Sequence, residues 1–137
     1  MTSKVKYIGE LRTQCTHIAS DSFIITDAPV DNHGKGEAFS PTDTVATALA
    51  SCLLTIMGIK AKQLKIDIRD TTAEVKKIMG ENPRRIDSIK ISVYFKKVFD
   101  KKIRKILEKA ALTCPVYYSL NSSLNKEIQF FWPPEKS

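Results

Sequence analysis

Cysteine is scarce in this chain, and its cysteines lack the spacing that protein metal sites use. Only Cys15, Cys52 and Cys114 occur among the 137 residues, and no C-x-x-C pair is present. Structural zinc sites draw on cysteines or histidines paired at short spacing. His17, close to Cys15, falls within a strand pattern rather than a ligand pattern. We therefore expect no metal site, and we expect Cys15 to be a packing residue.

Long hydrophobic runs are absent as well. No apolar stretch follows Met1, so we expect no secretory signal peptide. The longest uncharged run, Thr44–Ile59, is too short and too rich in threonine, serine and alanine to span a bilayer. These absences predict a cytoplasmic protein without a membrane partner. In the reducing cytosol a lasting disulfide is uncommon, and a transient catalytic one is the usual exception.

The charge is strongly positive but lacks the pattern of a nucleic-acid surface. The formal net charge is +7 at pH 7. Lysines and arginines are scattered, with local clusters at Arg84–Arg85, Lys96–Lys97 and Lys101–Lys105, and aromatic and basic residues do not alternate. The last of these clusters lies on a helical pattern and is most simply the solvated face of that helix. We expect no nucleic-acid partner.

The chain reads as one α+β domain over residues 1–137. It shows no internal repeat and no linker, and its 42% hydrophobic and 27% charged content is typical of a soluble globular protein. The pattern predicts strands at 4–8, 14–18 and 22–26, a loop at 27–39, a helix, strands at 66–78 and 85–96, a helix capped by Asp100, a short helix and a strand at 127–132. This order is typical of α+β proteins, and the alternation within 85–96 indicates an antiparallel strand with one buried face.

The helix after the loop is predicted to be buried on all sides. Ser40 is a favourable N-cap, Pro41 suits the first helical position, and Asp43 completes a capping box. Apolar residues recur at helical spacing along it: Val45, Leu49, Cys52, Ile56 and Ile59. The opposite side carries small uncharged residues, so it is not a solvated face. Such side chains allow a second subunit to approach closely.

Cys52 and Cys114 stand on separate elements, which suggests a redox pair brought together by folding. Cys52 lies in the middle of the predicted helix, whereas Cys114 precedes Pro115 and is expected to cap a short helix. A helix N-terminus lowers the pKa of a thiol, so local physics favours Cys114 as the nucleophile. The alternative is two ordinary buried cysteines, because free cysteine is among the most buried residue types.

Three segments resemble the OsmC/Ohr family of thiol peroxidases. Ser40–Cys52 is similar to the central-helix motif of that family, and Cys114–Leu120 is similar to its second cysteine motif. The loop Thr26–Phe39 resembles one family subgroup. The resemblance implies an OsmC-like fold with antiparallel sheets around a buried central helix. It also implies an intertwined homodimer.

The resemblance implies peroxide reduction without a bound cofactor. Carried over by position, Cys52 attacks an organic hydroperoxide and becomes a sulfenic acid, and Cys114 condenses with it to a disulfide. This reverses the order that local physics favours. The implied partners are an organic hydroperoxide, a dithiol reductant such as a lipoylated protein, and a second copy of the chain.

The resemblance also implies an arginine beside the attacking thiol, held by a glutamate at the helix start. Arg12 is the candidate arginine, although an exposed strand-end arginine is the plain alternative. The residue at the glutamate position is Thr42, so Asp43 is the candidate substitute, beside its role in the capping box. The change at Thr42 favours a competing function, in which the protein binds a small ligand or senses redox state without efficient turnover. A basic accessory protein that acts through its surface is a third alternative.

Overall fold

The computed structural model describes residues 1–135 and divides the chain into two compact units. The first covers Met1–Val45 and the second begins at Ala46. Each unit contains one three-stranded sheet, so the expected α+β class with two sheets and helices is confirmed. The assignment of the whole chain to a single domain stays a prediction.

The first unit is an antiparallel meander. Its strands are β1 (Ser3–Gly9), β2 (Arg12–His17) and β3 (Phe23–Asp27), in the spatial order β1-β2-β3. The turn between β1 and β2 consists of Glu10 and Leu11, which both have positive φ, at 56° and 61°. Two such residues are what a tight hairpin turn matched to the strand twist requires. The three short strands predicted here are confirmed with small shifts of their ends.

The loop after β3 is folded back onto the sheet. It contains one turn of 3₁₀ helix, Val30–Asn32, and the N–H of Asp27 donates to the carbonyl oxygen of Phe39 at 3.0 Å, which closes the base of the loop. Gly34 lies so close to the backbone of Ala28 that a Cβ at position 34 would overlap the Ala28 carbonyl. Only glycine fits there without a shift of the chain.

Helix α1 (Pro41–Gln63) starts at the predicted capping box. The Ser40 N–H donates to Asp43 Oδ2 at 3.0 Å, and the Asp43 N–H donates to Ser40 Oγ at 3.0 Å. Two free donors of the first turn are thereby satisfied. Lys60 and Lys62 lie in the last turn, where positive charge is favourable.

The sheet of the second unit is mixed, which corrects the expectation of purely antiparallel sheets. Its strands are β4 (Thr72–Gly80), β5 (Arg85–Tyr94) and β6 (Asn125–Phe131). Strands β4 and β5 pair antiparallel, whereas β5 and β6 pair parallel. The reason is the connection: two helices between β5 and β6 carry the chain back to the end of the sheet at which β5 began.

The two connecting helices begin at the predicted caps. Helix α2 (Lys101–Ala111) is capped by Asp100, whose Oδ1 accepts from the Ile103 N–H at 2.9 Å. Helix α3 (Pro115–Ser119) follows a short turn and is capped by Cys114.

The core of the second unit is built on one face of α1, so the prediction of a helix buried on all sides is wrong for the chain by itself. The fully or nearly fully buried residues of α1 are Ala46, Leu49, Ala50, Leu53, Met57 and Ala61, and they belong to one cluster with Ile89, Ile91, Val93 and Leu107. Of the predicted apolar stripe only Leu49 is fully buried, while Val45 and Ile59 are 38% and 53% exposed. Because α1 is apolar or small on every side, its sequence could not indicate which face meets the sheet. By length and composition α1 could cross a membrane, a test that the core helix of a soluble protein also passes.

Candidate functional site: a thiol pair and an arginine–carboxylate cluster

The structure brings Cys52 and Cys114 together in the second unit. Both thiols are free, and they interact closely enough that Cys52 raises the pKa of the Cys114 thiol. Cys52 is partly exposed, whereas Cys114 is fully buried. Two thiols that are neighbours in one core can exchange between a dithiol and a disulfide.

Packing of the helices explains why the two cysteines meet. Cys52 is flanked on α1 by the buried residues Leu49 and Leu53. Ala111 at the end of α2 is also buried in this core, and its carbonyl oxygen accepts from the Cys114 N–H at 3.3 Å. The short turn after α2 therefore holds the Cys114 thiol within the same core that contains α1.

The surroundings of Cys114 oppose its ionisation. Its Sγ accepts a hydrogen bond from the Tyr117 N–H at 3.5 Å, so the predicted helix cap is confirmed. Burial nevertheless raises the pKa of the Cys114 thiol, and the hydrogen bond with Cys52 raises that pKa further, against the lowering effect of the Tyr117 amide. The expectation that the cap lowers the pKa of Cys114 is wrong, because the effect of desolvation outweighs that of the backbone donors.

Arg12 lies in the first unit, in a cluster with two carboxylates. It starts β2 directly opposite Asp27, the last residue of β3. Its Nη2 is 3.4 Å from Asp27 Oδ2 and 2.6 Å from Glu37 Oε2. Hydrogen bonding and charge attraction from Asp27 raise the pKa of the guanidinium, with burial opposing and Glu37 adding to it. Arg12 is therefore not the exposed strand-end arginine of the alternative interpretation.

Asp27 is a fully buried carboxylate that stays ionised. The Glu37 backbone N–H donates to Asp27 Oδ2 at 2.9 Å. This bond is the largest cause that lowers the pKa of Asp27; burial acts in the opposite direction, and Arg12 lowers that pKa further. Glu37 therefore contacts both partners, with its amide on Asp27 and its carboxylate on Arg12.

Sequence reasoning missed Asp27 and Glu37 as partners of Arg12. It sought the partner at the start of α1, where Asp43 caps the helix and the Thr42 hydroxyl lies 3.2 Å from Ser40 Oγ. The register of the β2–β3 hairpin was an available signal for Asp27, because paired strand ends bring residues 12 and 27 opposite each other. Nothing in the sequence pattern pointed to Glu37.

Cys15 lies on β2 in the first unit, outside the contacts of the arginine–carboxylate cluster. Its Sγ is 3.7 Å from Thr13 Oγ1, and it is partly buried. In residues 1–135, no three histidine, cysteine, aspartate or glutamate side chains are grouped so as to hold a metal ion.

Comparison with known proteins places the chain among OsmC-like proteins. The family described as OsmC-like protein matches residues 34–129. An osmotic stress induced and detoxification response protein from Psychrobacter arcticus 273-4 has 53% identity and a TM-score of 0.93, with 96% of each chain covered. No curated protein matches the sequence.

Two more distant solved structures share the fold alone. An organic hydroperoxide resistance protein OsmC from Legionella pneumophila has 15% identity and a TM-score of 0.73, with 95% of this chain and 96% of that chain covered. An organic hydroperoxide resistance protein from Vibrio cholerae, with captopril bound in one active site, has 13% identity and a TM-score of 0.73, with 95% and 91% covered.

Proposed function

This chain belongs to the OsmC-like protein family, and on that basis we propose that it is a thiol-dependent peroxidase that reduces organic hydroperoxides. Membership in this family supports a redox function for this chain. The observation that carries the proposal is the pair of free thiols, Cys52 and Cys114, which interact with each other in one core. Two cysteines held in this way supply both electrons that reduction of a hydroperoxide needs.

In the proposed reaction Cys52 attacks and Cys114 resolves. The Cys52 thiolate attacks the distal oxygen of ROOH, the O–O bond breaks, and the alkoxide takes a proton and leaves as ROH. The Cys114 sulfur then attacks the Cys52 sulfenic acid, and the hydroxide leaves as water with the Cys114 proton. An external dithiol, such as a lipoylated protein, reduces the disulfide and becomes a disulfide itself.

The exposure of the two thiols supports this order of events. Cys52 is partly open to solvent, whereas Cys114 is fully buried. The raised pKa of Cys114 keeps it protonated at neutral pH. A protonated, buried thiol does not compete for peroxide, and it becomes the partner of Cys52 once the sulfenic acid has formed.

Arg12 is proposed as the counter-charge of the Cys52 thiolate. The support for this role is that Asp27 and Glu37 hold the Arg12 guanidinium in place. A guanidinium also offers several N–H donors to peroxide oxygens. We also propose that the Asp43 carboxylate takes the place of the family's glutamate at the helix start, in addition to its capping role.

We propose a homodimer in the cytoplasm as the working form, with the two chains intertwined. Its support is exposed apolar surface: Val45 and Ile59 on α1, and separately Val5, Tyr7 and Ile24, which share one face of the first sheet. Apolar surface grouped in this way is typical of interfaces.

A second candidate function is ligand binding or redox sensing without turnover. It is favoured by Thr42, which lacks a carboxylate, and by an open groove of about 390 Å³ in the second unit. Ile56, Ile59, Ile106 and Ala110 line this groove, and their apolar side chains suit a small apolar ligand.

The test is consumption of cumene hydroperoxide with dihydrolipoamide by the wild type and by Cys52→Ser, Cys114→Ser and Cys15→Ser. We expect turnover to be lost in the first two variants and retained in Cys15→Ser, which controls for thiol removal. A sulfenic acid should be trapped only when Cys52 remains. A folded wild type that consumes no peroxide would contradict the proposal and favour the ligand-binding alternative.

A further inference from the structure

Lys126 occupies a position of β6 at which an apolar side chain is expected. Alternate residues of a strand face opposite sides of the sheet, and the residues on the same side as Lys126 are Ile128 and Phe130, which pack against the core. The residue that pairs with Lys126 on β5 is Ile89, which is fully buried. Lys126 is itself half-buried, so it is not an ordinary solvated lysine and its contacts indicate what it does.

The Lys126 ammonium joins three parts of the second unit. Its Nζ lies 4.9 Å from the centroid of the Tyr117 ring, within the range of a cation–π contact. The same atom donates to the carbonyl oxygens of Leu124 at 3.1 Å and Asn121 at 3.4 Å. Within residues 1–135 it forms no ion pair with a carboxylate. One side chain of β6 is therefore tied to α3 and to the turn that follows α3.

Tyr117 connects this contact to the Cys114 thiol. Its backbone N–H donates to Cys114 Sγ at 3.5 Å, and its side chain packs against the core. Helix α3 has only five residues, too few for an isolated helix to be stable in water, so its position depends on side-chain contacts. The position of the Cys114 sulfur therefore depends on how firmly Tyr117 is held.

We propose that Lys126 is a positioning residue that holds Tyr117, and through it the Cys114 sulfur, in place to react with Cys52. This role rests on the proposed function, in which Cys114 resolves the Cys52 sulfenic acid. In that step the Cys114 sulfur attacks the Cys52 sulfur, the S–S bond forms, the S–O bond breaks, and hydroxide leaves as water with the Cys114 proton. Such a displacement needs the two sulfur atoms in a defined geometry, so a loosely held α3 slows it. The earlier attack of Cys52 on the peroxide does not use Cys114 and should keep its rate.

A competition experiment on the full-length folded protein separates the two steps. The reduced protein is oxidised with one equivalent of cumene hydroperoxide in the presence of dimedone, which competes with Cys114 for the Cys52 sulfenic acid. The rate of peroxide loss reports the first step, and the ratio of dimedone adduct to disulfide, from mass spectrometry, reports the second.

Lys126→Met is the deciding variant, because it keeps the length of the side chain and removes its charge and its donors. We expect peroxide loss at the wild-type rate and a ratio of adduct to disulfide that rises about fivefold, a change of about 1 kcal/mol in activation free energy. Lys105→Met is the matched control, because Lys105 is an exposed lysine of α2 in the same unit. A wild-type ratio in Lys126→Met, or a first step slowed as much as the second, would overturn the positioning role.

Rescue and coupling tell positioning from a general structural defect. Lys126→Arg keeps a cation and its donors beside the ring, so it should restore the wild-type ratio. Tyr117→Phe keeps the ring and should behave as the wild type, whereas Tyr117→Leu should raise the ratio as Lys126→Met does. The two changes together should add little, because both act through one contact, and full additivity would contradict the proposed link. If Lys126→Met does not fold, Lys126→Gln, which also lacks the charge, decides in its place.

A measurement without peroxide tells failure of this role from failure of the proposed function. Equilibration with reduced and oxidised dithiothreitol gives the equilibrium constant for the Cys52–Cys114 disulfide, with oxidised dithiothreitol taking up the two electrons and two protons. We expect Lys126→Met to lower this constant about fivefold, since less firmly placed thiols form a disulfide less readily. A wild type that consumes no peroxide but shows this dependence contradicts the peroxidase and supports the positioning role. Normal turnover, with a ratio and a constant independent of Lys126, overturns the positioning role and leaves the peroxidase standing.

Discussion

Arg12 and Asp27 lie directly opposite each other on β2 and β3, and the Arg12 guanidinium forms an ion pair with the buried Asp27 carboxylate. A buried carboxylate without its partners would be costly, because desolvation strongly disfavours the charged form. The ion pair therefore contributes to the stability of the first unit, and this contribution depends on pH.

The first prediction concerns acid stability. The pKa of Asp27 is lowered in the folded state by the Glu37 N–H and by Arg12. Its contribution is therefore present above the ordinary carboxylate range and is lost as pH falls through the folded pKa, below about pH 4. We expect Asp27→Asn to lower the urea midpoint at pH 7 and to make little difference at pH 2. Glu10→Gln is the control, and an equal loss at both pH values would contradict the argument.

The second prediction concerns the loop that presents Glu37. Gly34→Ala would drive a Cβ into the Ala28 carbonyl, and backbone there cannot yield as a flexible side chain can. We expect a loss of about 2 kcal/mol in the free energy of unfolding. Gly58→Ala is the control: apart from its chain neighbours and its own helix backbone, no atom lies within 4 Å of the added Cβ, and alanine is the better helix former. A Gly34→Ala variant as stable as Gly58→Ala would show that the loop can relax.

Local signals predicted much of the fold. The capping box at Ser40 and Asp43, the Asp100 cap and the Cys114 cap were predicted, because each depends on residues within one helical turn. The parallel pairing of β6 was not, since strand direction depends on the whole crossover rather than on any local pattern.

The candidate site was predictable only in part, for a similar reason. The resemblance paired Cys52 with Cys114, and the structure brings their thiols together. Local reasoning about the pKa of Cys114 was wrong, because burial is a tertiary property and its effect on that pKa outweighed the effect of the helix cap. Glu37 was missed because its role comes from a folded loop, in which its own amide reaches Asp27.

The third prediction tests the homodimer through the exposed face of α1. Ile59 is 53% exposed, so a charge there costs the isolated chain little but would be buried in a proposed interface. We expect Ile59→Glu to shift sedimentation from dimer toward monomer, with unchanged circular dichroism. Val98→Glu serves as the control, since Val98 is a similarly exposed apolar residue outside the helices and strands, at 45%. A wild type that sediments as a monomer at all concentrations would refute the dimer.

The fourth prediction is the order in which the two thiols react. Cys114 is fully buried and its raised pKa keeps it protonated, whereas Cys52 is partly exposed. We expect iodoacetamide at pH 7.5 to modify Cys52 at least tenfold faster than Cys114 in the native protein, a gap of about 1.4 kcal/mol or more in activation free energy. In urea the two rates should converge, because unfolding removes both the burial and the hydrogen bond between the thiols. Faster native modification of Cys114 would reverse the roles and make the thiol at the start of α3 the attacking one.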